Sequence, residues 1–199
     1  MTTTAAIPFM SVEEYLCTED ASAIKHEYLD GEVFSMAGAS DAHVTIAGNV
    51  FSLIRTHLRG SGCRAYIADM KLRVEATNCF FYPDVFVTCT AADAQQPYIK
   101  QQPLVIIEVL SPSTDAYDRG VKFAHYRQLE SLQEYVLIDS QRQLIDLFQR
   151  QTAGWLFQSF TAGATLHLSS IDWQAAVEAI YEAVNFTADM TPIDEFQWS

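Results

Sequence analysis

Two carboxylates stand where the sequence is otherwise strongly apolar. Glu108 lies within LVIIEVL, and Asp84 lies within FYPDVFV, with apolar residues on both sides. Burying an unpaired carboxylate costs free energy or raises its pKa, so such a residue needs a partner, a cation or access to water. Two neighbouring acids repel unless a cation lies between them, and Mg²⁺ or Mn²⁺ prefers such oxygen ligands. The pair therefore predicts a divalent-metal site at Asp84 and Glu108.

Each acid also has an ordinary structural explanation. A lone strand glutamate such as Glu108 commonly reaches solvent or caps a backbone group at a strand edge or end. Asp84 follows Pro83, as a turn-forming aspartate does. The apolar pattern continues directly after Asp84, which weakens the turn explanation for that residue.

A lysine near the two acids would assist phosphodiester hydrolysis, because it can help orient water and neutralise developing charge. Lys122 is the candidate. It lies four residues after Asp118 and four before Tyr126, so the three side chains share a helical face. The alternative is an exposed ion pair between Asp118 and Lys122, worth about a few tenths of a kcal/mol. Lys71 in DMKLRV is a rival lysine, although its alternation with apolar residues predicts a strand lysine that faces solvent.

Two further residues are auxiliary candidates. Glu27 in HEYLDGEV would be a third acid, whereas hairpin glutamates are usually solvated. His43 lies near the start of a predicted helix and would be a ligand there, whereas a hydrogen-bonded helical histidine is commoner. Both explanations stay open for each residue at this stage.

Composition limits the class of protein. The 199 residues include 12 Lys+Arg and 25 Asp+Glu, which gives a formal net charge of -13. A strongly basic nucleic-acid-binding surface is therefore excluded, although a local positive cleft is not. With 49% hydrophobic and 19% charged residues, the chain can bury a sizeable core and is typical of a soluble globular protein.

The elements that position the candidate residues follow from local patterns. Ser11 and Glu14 have the spacing of a capping box, and Asp30-Gly31 is a strong hairpin signal. Apolar residues at three- and four-residue intervals predict a helix from about Ser40 to Leu58. Strands are predicted over CRAYIADMKLRVE (as one bent strand or a pair) and FFYPDVFVT, and a polar loop from Thr90 to Gln102.

The second half contains a predicted parallel crossover. LVIIEVL is typical of a central strand buried on both faces, and EYVLID of a second buried strand. Between them DRGVKFAHYRQLE predicts a helix capped by Thr114 or Asp115, in a right-handed crossover. QLIDLFQR and GWLFQSF predict a hairpin, and IDWQAAVEAIYEAV predicts a C-terminal amphipathic helix. The order as a whole predicts a mixed α/β sandwich.

The cysteine spacing and the length of the apolar runs indicate the cellular compartment. The four cysteines have no C-x-x-C pair and are predicted to be reduced thiols that mostly fill the core: Cys17, Cys63, Cys79 and Cys89. The N-terminus lacks the pattern of a signal peptide, and no apolar run has the length of a membrane span. We expect a cytoplasmic protein that does not interact with membranes.

Several segments together resemble the Uma2 family, restriction-endonuclease-like proteins of the PD-(D/E)XK nuclease superfamily. The segments are YPDVFVT, PLVIIEVLSPST, DRGVK and YRQLESLQEYVLID, with HEYLDGEV and His43 as further similarities, so the resemblance covers roughly Ser11 to Asp146. It implies an α/β restriction-endonuclease-like core with a mixed central sheet flanked by helices and with hairpin additions at both ends. It also implies one such domain over 1–199, with the core at about 40–146, the N-terminal hairpin at 11–39 and the C-terminal hairpin and helix at 147–185.

The resemblance assigns roles to the candidate residues. Pro83-Asp84 and Glu108 would be the two acidic parts of the superfamily motif, and both acids would bind metal. Leu110 occupies the position where the superfamily usually has its lysine. In the family pattern the following helix supplies this lysine, which here would be Lys122. The first core helix contains only Asp41 as an acid, so Glu27 or His43 would substitute for the acid that many superfamily members carry there.

Two functions of different class follow. The first is an endonuclease that hydrolyses DNA with Mg²⁺ or Mn²⁺ and leaves 5′ phosphates. The second is a catalytically inactive nuclease-like scaffold that associates with proteins, which the acidic charge favours and the intact acid pair disfavours. A metal-binding hydrolase with another substrate is a third possibility. The hairpin around Trp155 is a candidate homodimer interface, as in many nucleases that cut duplex DNA.

Overall fold

A computed structural model describes residues 9–36 and 38–186 of the chain. Six helices are present in this part: α1 (Val12–Ala21), α2 (Asp41–His57), α3 (Ala91–Gln95), α4 (Asp115–Tyr117), α5 (Phe123–Tyr126) and α6 (Val177–Ile180). A π-helical turn, Asp118–Lys122, joins α4 to α5, and we call the continuous helical stretch 115–126 the crossover helix. Two short 3₁₀ turns cover Glu75–Thr77 and Ser169–Ile171.

Thirteen strands form three sheets in the described residues. They are β1 (His26–Leu29), β2 (Glu32–Ser35), β3 (Arg64–Ile67), β4 (Lys71–Val74), β5 (Cys79–Phe81), β6 (Val85–Thr88), β7 (Ile99–Lys100), β8 (Pro103–Leu110), β9 (Glu134–Asp139), β10 (Leu144–Gln151), β11 (Gly154–Thr161), β12 (Thr165–Leu168) and β13 (Trp173–Ala176). The large sheet has the order β11-β10-β9-β8-β6-β3, the second sheet has the order β2-β1-β5-β4-β7, and β12 pairs with β13.

The N-terminal predictions are confirmed. Ser11 and Glu14 form the predicted capping box at the start of α1. The hairpin β1–β2 turns at Asp30 and Gly31, both at positive φ, which is the conformation that a two-residue turn of this kind requires. Ser40 caps α2 through a hydrogen bond from the His43 N–H to the Ser40 hydroxyl.

Strand β8 is the centre of the large sheet, as its apolar run predicts. It pairs antiparallel with β6 and parallel with β9, and the crossover helix connects the two parallel strands. Val105, Ile107 and Val109 pack in a core with α2, whereas Ile106 and Leu110 pack on the other face with the crossover helix. Glu108 lies on this second face because side chains alternate along a strand.

The predicted strand FFYPDVFVT is divided in the structure. Its first part is β5 in the second sheet and its last part is β6 in the large sheet, so Pro83 and Asp84 join two sheets. Proline lacks an N–H group and fixes φ, so it cannot continue a ladder of hydrogen bonds. This break leaves the Asp84 side chain free to point across to β8.

The predicted C-terminal helix is wrong over most of its length. Trp173–Ala176 is a strand that pairs with Thr165–Leu168, and only Val177–Ile180 is helical. Trp173 is buried and Gln174 is exposed, an alternation that suits a strand. The structure of this segment depends on its pairing with β12, and the spacing of apolar residues along the segment does not indicate that pairing.

Two other segments differ in extent from their predictions. The first contains regular structure where a loop is predicted, and the second is a shorter helix than predicted. The polar loop from Thr90 to Gln102 contains α3, capped by the Thr90 side chain, and β7, which pairs with β4. The predicted helix over DRGVKFAHYRQLE begins at Asp115, directly after Thr114, one of the two residues predicted to cap it, and ends at Tyr126, before the last residues of that segment.

The prediction of four reduced cysteines is wrong for two of them. Cys63 and Cys89 form a disulfide. They extend by one step the register in which Arg64 of β3 faces Thr88 of β6, so the antiparallel pairing brings them together. Cys79 is buried and free, as predicted, and Cys17 is free and exposed. No helix within residues 9–36 and 38–186 has both the length and the apolar character needed to cross a bilayer.

Candidate active site

Asp84 and Glu108 meet where β6 and β8 lie side by side. The backbone N–H of Asp84 donates to Oε2 of Glu108 (3.2 Å), and the N–H of Val109 donates to Oδ2 of Asp84 (2.7 Å). Each carboxylate is therefore fixed by the strand that carries the other. The structure brings together the two acids that the sequence predicts as a pair.

Lys122 reaches this pair from the π-helical turn of the crossover helix. Its Nζ lies 3.4 Å from Oε1 of Glu108, 3.2 Å from Oδ1 of Asp118 and 3.0 Å from Oε1 of Glu27. The Lys122 residue is only 8% exposed. The exposed Asp118–Lys122 ion pair considered above is therefore wrong, because both partners are buried among further acids.

Glu27 joins the cluster from β1. It is buried, so the expectation of a solvated hairpin glutamate is wrong, and it accepts a hydrogen bond from the Tyr117 hydroxyl (3.1 Å) through Oε2. Its position follows from the pairing of β1 with β5, the strand that leads into Pro83 and Asp84. The cluster thus draws its acids from the large sheet, the second sheet and the crossover helix.

His43 contacts the carboxylate oxygen of Asp84 that Val109 does not. Its Nε2 is 3.0 Å from Oδ1 of Asp84, and the two side chains are 16% and 20% exposed. Both are more exposed than the Glu27 and Lys122 side chains, and Glu108 and Asp118 are almost fully buried. A substrate could therefore reach the cluster at Asp84 and His43.

Lys71 lies outside this set of contacts. Its ammonium pairs with the exposed Asp20 carboxylate at 3.2 Å. The residue is nevertheless buried, so the prediction that it faces solvent is wrong. Its stem lies in the second sheet, beside Ile99 of β7.

Two tyrosines complete the cluster. The Tyr126 hydroxyl donates to Oε1 of Glu108 (2.9 Å), and the Tyr117 hydroxyl donates to Glu27. The sequence indicates the position of Tyr126, because its helical spacing places it on the same face as Asp118 and Lys122. Tyr117 was missed, because its proximity to Glu27 depends on how the hairpin packs against the crossover helix.

The cluster contains more acid than base. Four carboxylates (Glu27, Asp84, Glu108 and Asp118) face one lysine and one histidine. Burial raises the pKa of Glu108 to about 8, and the neighbouring acids add to the effect, although Lys122 opposes it. Burial likewise raises the pKa of Asp118. A further positive charge would be stabilised here.

Neighbouring acids favour the charged forms of the two bases. Burial lowers the pKa of Lys122, but Glu108, Glu27 and Asp118 outweigh this effect and raise it well above its usual range. Burial also lowers the pKa of His43, and its hydrogen bond and attraction to Asp84 outweigh that effect, so the net direction is upward. Lys122 is therefore a permanent cation and a hydrogen-bond donor at neutral pH.

The donor set fits a hard divalent cation in its chemistry. Oε1 of Glu27 and Oδ1 of Asp118 are buried and lack a well-formed hydrogen bond, and they lie 3.0 Å and 3.2 Å from the Lys122 ammonium. Carboxylate oxygens are the ligands that Mg²⁺ and Mn²⁺ prefer. Within the described residues, no group of three or more His, Cys, Asp or Glu side chains is arranged to hold a metal by itself. Asp84 and Glu108 would thus need water or substrate oxygens as additional ligands.

Comparison with known proteins places the chain in a family. The Uma2 family model, described as "Putative restriction endonuclease", matches residues 12–178. The chain belongs to the Uma2 family. Two proteins of Synechocystis sp. are similar to it: "Uncharacterized protein slr1290", 39% identical over 183 residues (92% of this chain and 96% of that protein), and "Uncharacterized protein sll1609", 31% identical over 153 residues (75% and 86%).

A solved structure shares the fold. A crystal structure from Anabaena variabilis, described as a "putative nuclease belonging to DUF820", superimposes with a TM-score of 0.72 and 17% identity, covering 86% of this chain and 97% of that one. The predicted α/β restriction-endonuclease-like fold and the predicted membership of the Uma2 family are confirmed.

Proposed function

We propose that this Uma2 protein is a metal-dependent endonuclease that hydrolyses DNA phosphodiester bonds, with Asp84 and Glu108 as the metal ligands. The observation that carries the proposal is the fixed Asp84–Glu108 pair within a cluster of four carboxyl groups that contains one lysine and one histidine. Mg²⁺ or Mn²⁺ bound there would supply Lewis-acid stabilisation of the charge that develops on the phosphate.

Lys122 would act as a donor in this proposal. Because its pKa is raised, it keeps its proton at neutral pH and cannot take one from water. Its ammonium can instead stabilise negative charge on a phosphate oxygen, as positioned cations do in phosphoryl transfer. Glu27 and Asp118 hold Lys122 in place from two sides.

His43 and Tyr126 would have positioning roles. His43 fixes Oδ1 of Asp84 at the open side of the cluster, and Tyr126 fixes Oε1 of Glu108 on the buried side. Preorganised partners of this kind reduce the reorganisation that ligand binding would otherwise require. DNA would contact the protein only at the open side, which is consistent with the acidic charge of the whole chain.

The test separates metal binding from cleavage. Binding of Mn²⁺ is measured by calorimetry, and cleavage of supercoiled and single-stranded DNA is measured with Mg²⁺ or Mn²⁺ on the same samples. We expect Glu108→Gln to abolish detectable metal binding and to lower cleavage about 100-fold or more. Glu75→Gln, an exposed acid in a 3₁₀ turn, is the matched control and should change neither property.

Each other outcome has a definite meaning. If the wild type binds Mn²⁺ and cleaves no DNA, the site is a metal site with another substrate. If the wild type binds no metal and cleaves nothing, the inactive-scaffold alternative replaces the proposal. Equal cleavage by the wild type and by Glu108→Gln would assign any nicking to a contaminant.

A further inference from the structure

Three arginines form an exposed group where α2 ends and β3 begins. Arg55 lies in the last turn of α2, Arg59 follows four residues later, and Arg64 is the first residue of β3. All three are exposed, and within residues 9–36 and 38–186 none of their side chains forms an ion pair. The helix dipole favours a cation at the end of α2, which accounts for Arg55 but not for Arg64 in a strand. We call these three residues the arginine patch.

Most other basic residues of the chain are already engaged by other groups. Lys100 and Arg150 donate to backbone carbonyl oxygens. Six of the 12 Lys+Arg pair with carboxylates in the described residues: Lys25, Lys71, Arg73, Arg119, Lys122 and Arg142. Four arginines remain. Three of them are the patch, and the fourth is Arg127, directly after the crossover helix.

The sequence around the patch lacks acids. Residues 42–68 contain three arginines and no Asp or Glu, although the whole chain has a formal net charge of -13. Asp172 lies near this end of α2, because the His57 ring is 2.9 Å from the carbonyl oxygen of the preceding residue, Ile171. Its one charge leaves the arginines in excess. An exposed positive group in an otherwise acidic protein indicates an anionic partner.

Two elements lead from the open side of the proposed active site to the patch. His43, which contacts Asp84, lies on α2 about 18 Å from Arg55 along the helix axis. Arg64 faces Thr88 of β6, about 13 Å along that strand from Asp84. An anion that extends over this distance can therefore contact the acidic cluster and the patch together.

We propose that the arginine patch binds the phosphate backbone of the DNA whose scissile bond lies at the Asp84–Glu108 pair. The inference rests on the proposed nuclease function and adds the surface that holds the substrate. Guanidinium groups bind phosphate oxygens in bidentate pairs. One strand of a duplex presents a phosphate about every 3.4 Å, so the patch lies about four to six base pairs to one side of the scissile phosphate.

The test measures DNA binding without cleavage. Fluorescence anisotropy follows a labelled duplex of about 20 base pairs in EDTA, from about 50 to 200 mM KCl. Near 100 mM salt the charge of the acidic cluster is screened beyond about 10 Å, so the patch should bind without metal. Replacing Arg55, Arg59 and Arg64 together by glutamine should reduce the slope of log affinity against log salt by about 2.7. The dissociation constant at the lowest salt should rise about 100-fold or more.

Three controls define what the patch contributes. Replacing the same three residues by lysine keeps their charge and should preserve the slope. Arg127→Gln removes one charge from the other face of the large sheet, where the crossover helix packs, and should leave the slope unchanged. Polyglutamate of equal total charge should compete poorly, because duplex DNA has one charge about every 1.7 Å.

The outcomes separate this inference from the proposed function. A wild-type slope in the triple glutamine variant would overturn the inference even if the protein cleaves DNA. So would an equal loss in Arg127→Gln, wild type that does not bind DNA, or polyglutamate that competes as well as DNA. Binding that depends on the patch in a protein that cleaves nothing would support the patch and refute only the nuclease. In an active enzyme the triple glutamine variant should raise KM for DNA and leave kcat and metal binding unchanged.

Discussion

At the scale of single residues, Lys122 shows how burial sets a role. On an exposed helix its pair with Asp118 would contribute little, because solvent screens it. In the structure the ammonium lies within 3.4 Å of oxygens from Glu27, Glu108 and Asp118. Removing one member of a buried charge group leaves the others unpaired, which is far more costly than losing a surface pair.

Two lysine substitutions test this difference. We expect Lys122→Met to lower the free energy of unfolding by about 3–5 kcal/mol, since three buried acids lose their cation. Lys71→Met should lower it by only about 0–1 kcal/mol, because its partner Asp20 is 75% exposed and stays hydrated. Urea unfolding at neutral pH measures both values. Equal losses would show that the acids around Lys122 are hydrated or protonated rather than paired.

The sequence predicted part of the cluster for identifiable reasons. Asp84 and Glu108 were visible because a charge in an apolar run is unusual, and Lys122 because helical spacing puts it beside Asp118. Whether Glu27 and Lys71 are buried depends on the packing of the N-terminal hairpin and the second sheet, which alternation along one strand does not encode. That the cluster binds metal or cleaves DNA stays a prediction.

At the scale of elements, α1 is tied to the second sheet through one carboxylate. Oε1 of Glu19 accepts hydrogen bonds from the His26 N–H (2.9 Å) and the Tyr82 hydroxyl (2.8 Å), and Oε2 lies 2.9 Å from the His26 ring. Burial raises the pKa of Glu19, but these hydrogen bonds outweigh it, so the net direction is below the ordinary value of 4.5. The ionised form is therefore the one that the fold stabilises.

This direction gives a pH dependence. An acid with a lowered folded-state pKa stabilises the protein above its unfolded-state pKa, and the contribution is lost as pH falls through the folded-state value. Glu19→Gln should thus lower the free energy of unfolding by about 1.5–3 kcal/mol at pH 7. The difference from wild type should shrink below about pH 4.5. Glu13→Gln on the same helix should unfold like wild type throughout, and a Glu19→Gln difference that is as large at pH 3 as at pH 7 would contradict the assignment.

Elements were predictable where a local signal determines them. The capping box at Ser11 and the Asp30-Gly31 turn involve only neighbouring residues, and both are confirmed. The strand Trp173–Ala176 was missed because it depends on pairing with another segment. The break at Pro83 was visible as a proline, yet its consequence, a change of sheet, depends on the whole topology.

At the scale of the whole molecule, the fold class came from the resemblance together with the order of strands and helices. The parallel pair β8 and β9, joined by the crossover helix, matches the predicted unit. The large sheet also includes β10 and β11, so the C-terminal hairpin continues the same sheet. The disulfide escaped prediction because Cys63 and Cys89 are 26 residues apart and only the pairing of β3 with β6 makes them neighbours.

The disulfide acts on the whole chain, because it restricts the unfolded ensemble. For a closed loop of this length, chain entropy predicts a stabilisation of about 3–4 kcal/mol. The double variant Cys63→Ser, Cys89→Ser should lose about this amount in thermal or urea unfolding, and a reducing agent should lower the wild type to the same midpoint.

The folded state should change little, since backbone pairing between β3 and β6 holds the two strands together without the bond. Asp84 directly precedes β6, so the proposed metal binding and cleavage should be the same in the double variant as in wild type at a temperature well below unfolding. Cys17→Ser, at the exposed free cysteine, should match wild type with and without reductant. If reductant leaves the wild-type midpoint unchanged while Cys63 and Cys89 react with a labelling reagent, the bond contributes nothing and pairing alone holds this edge of the sheet.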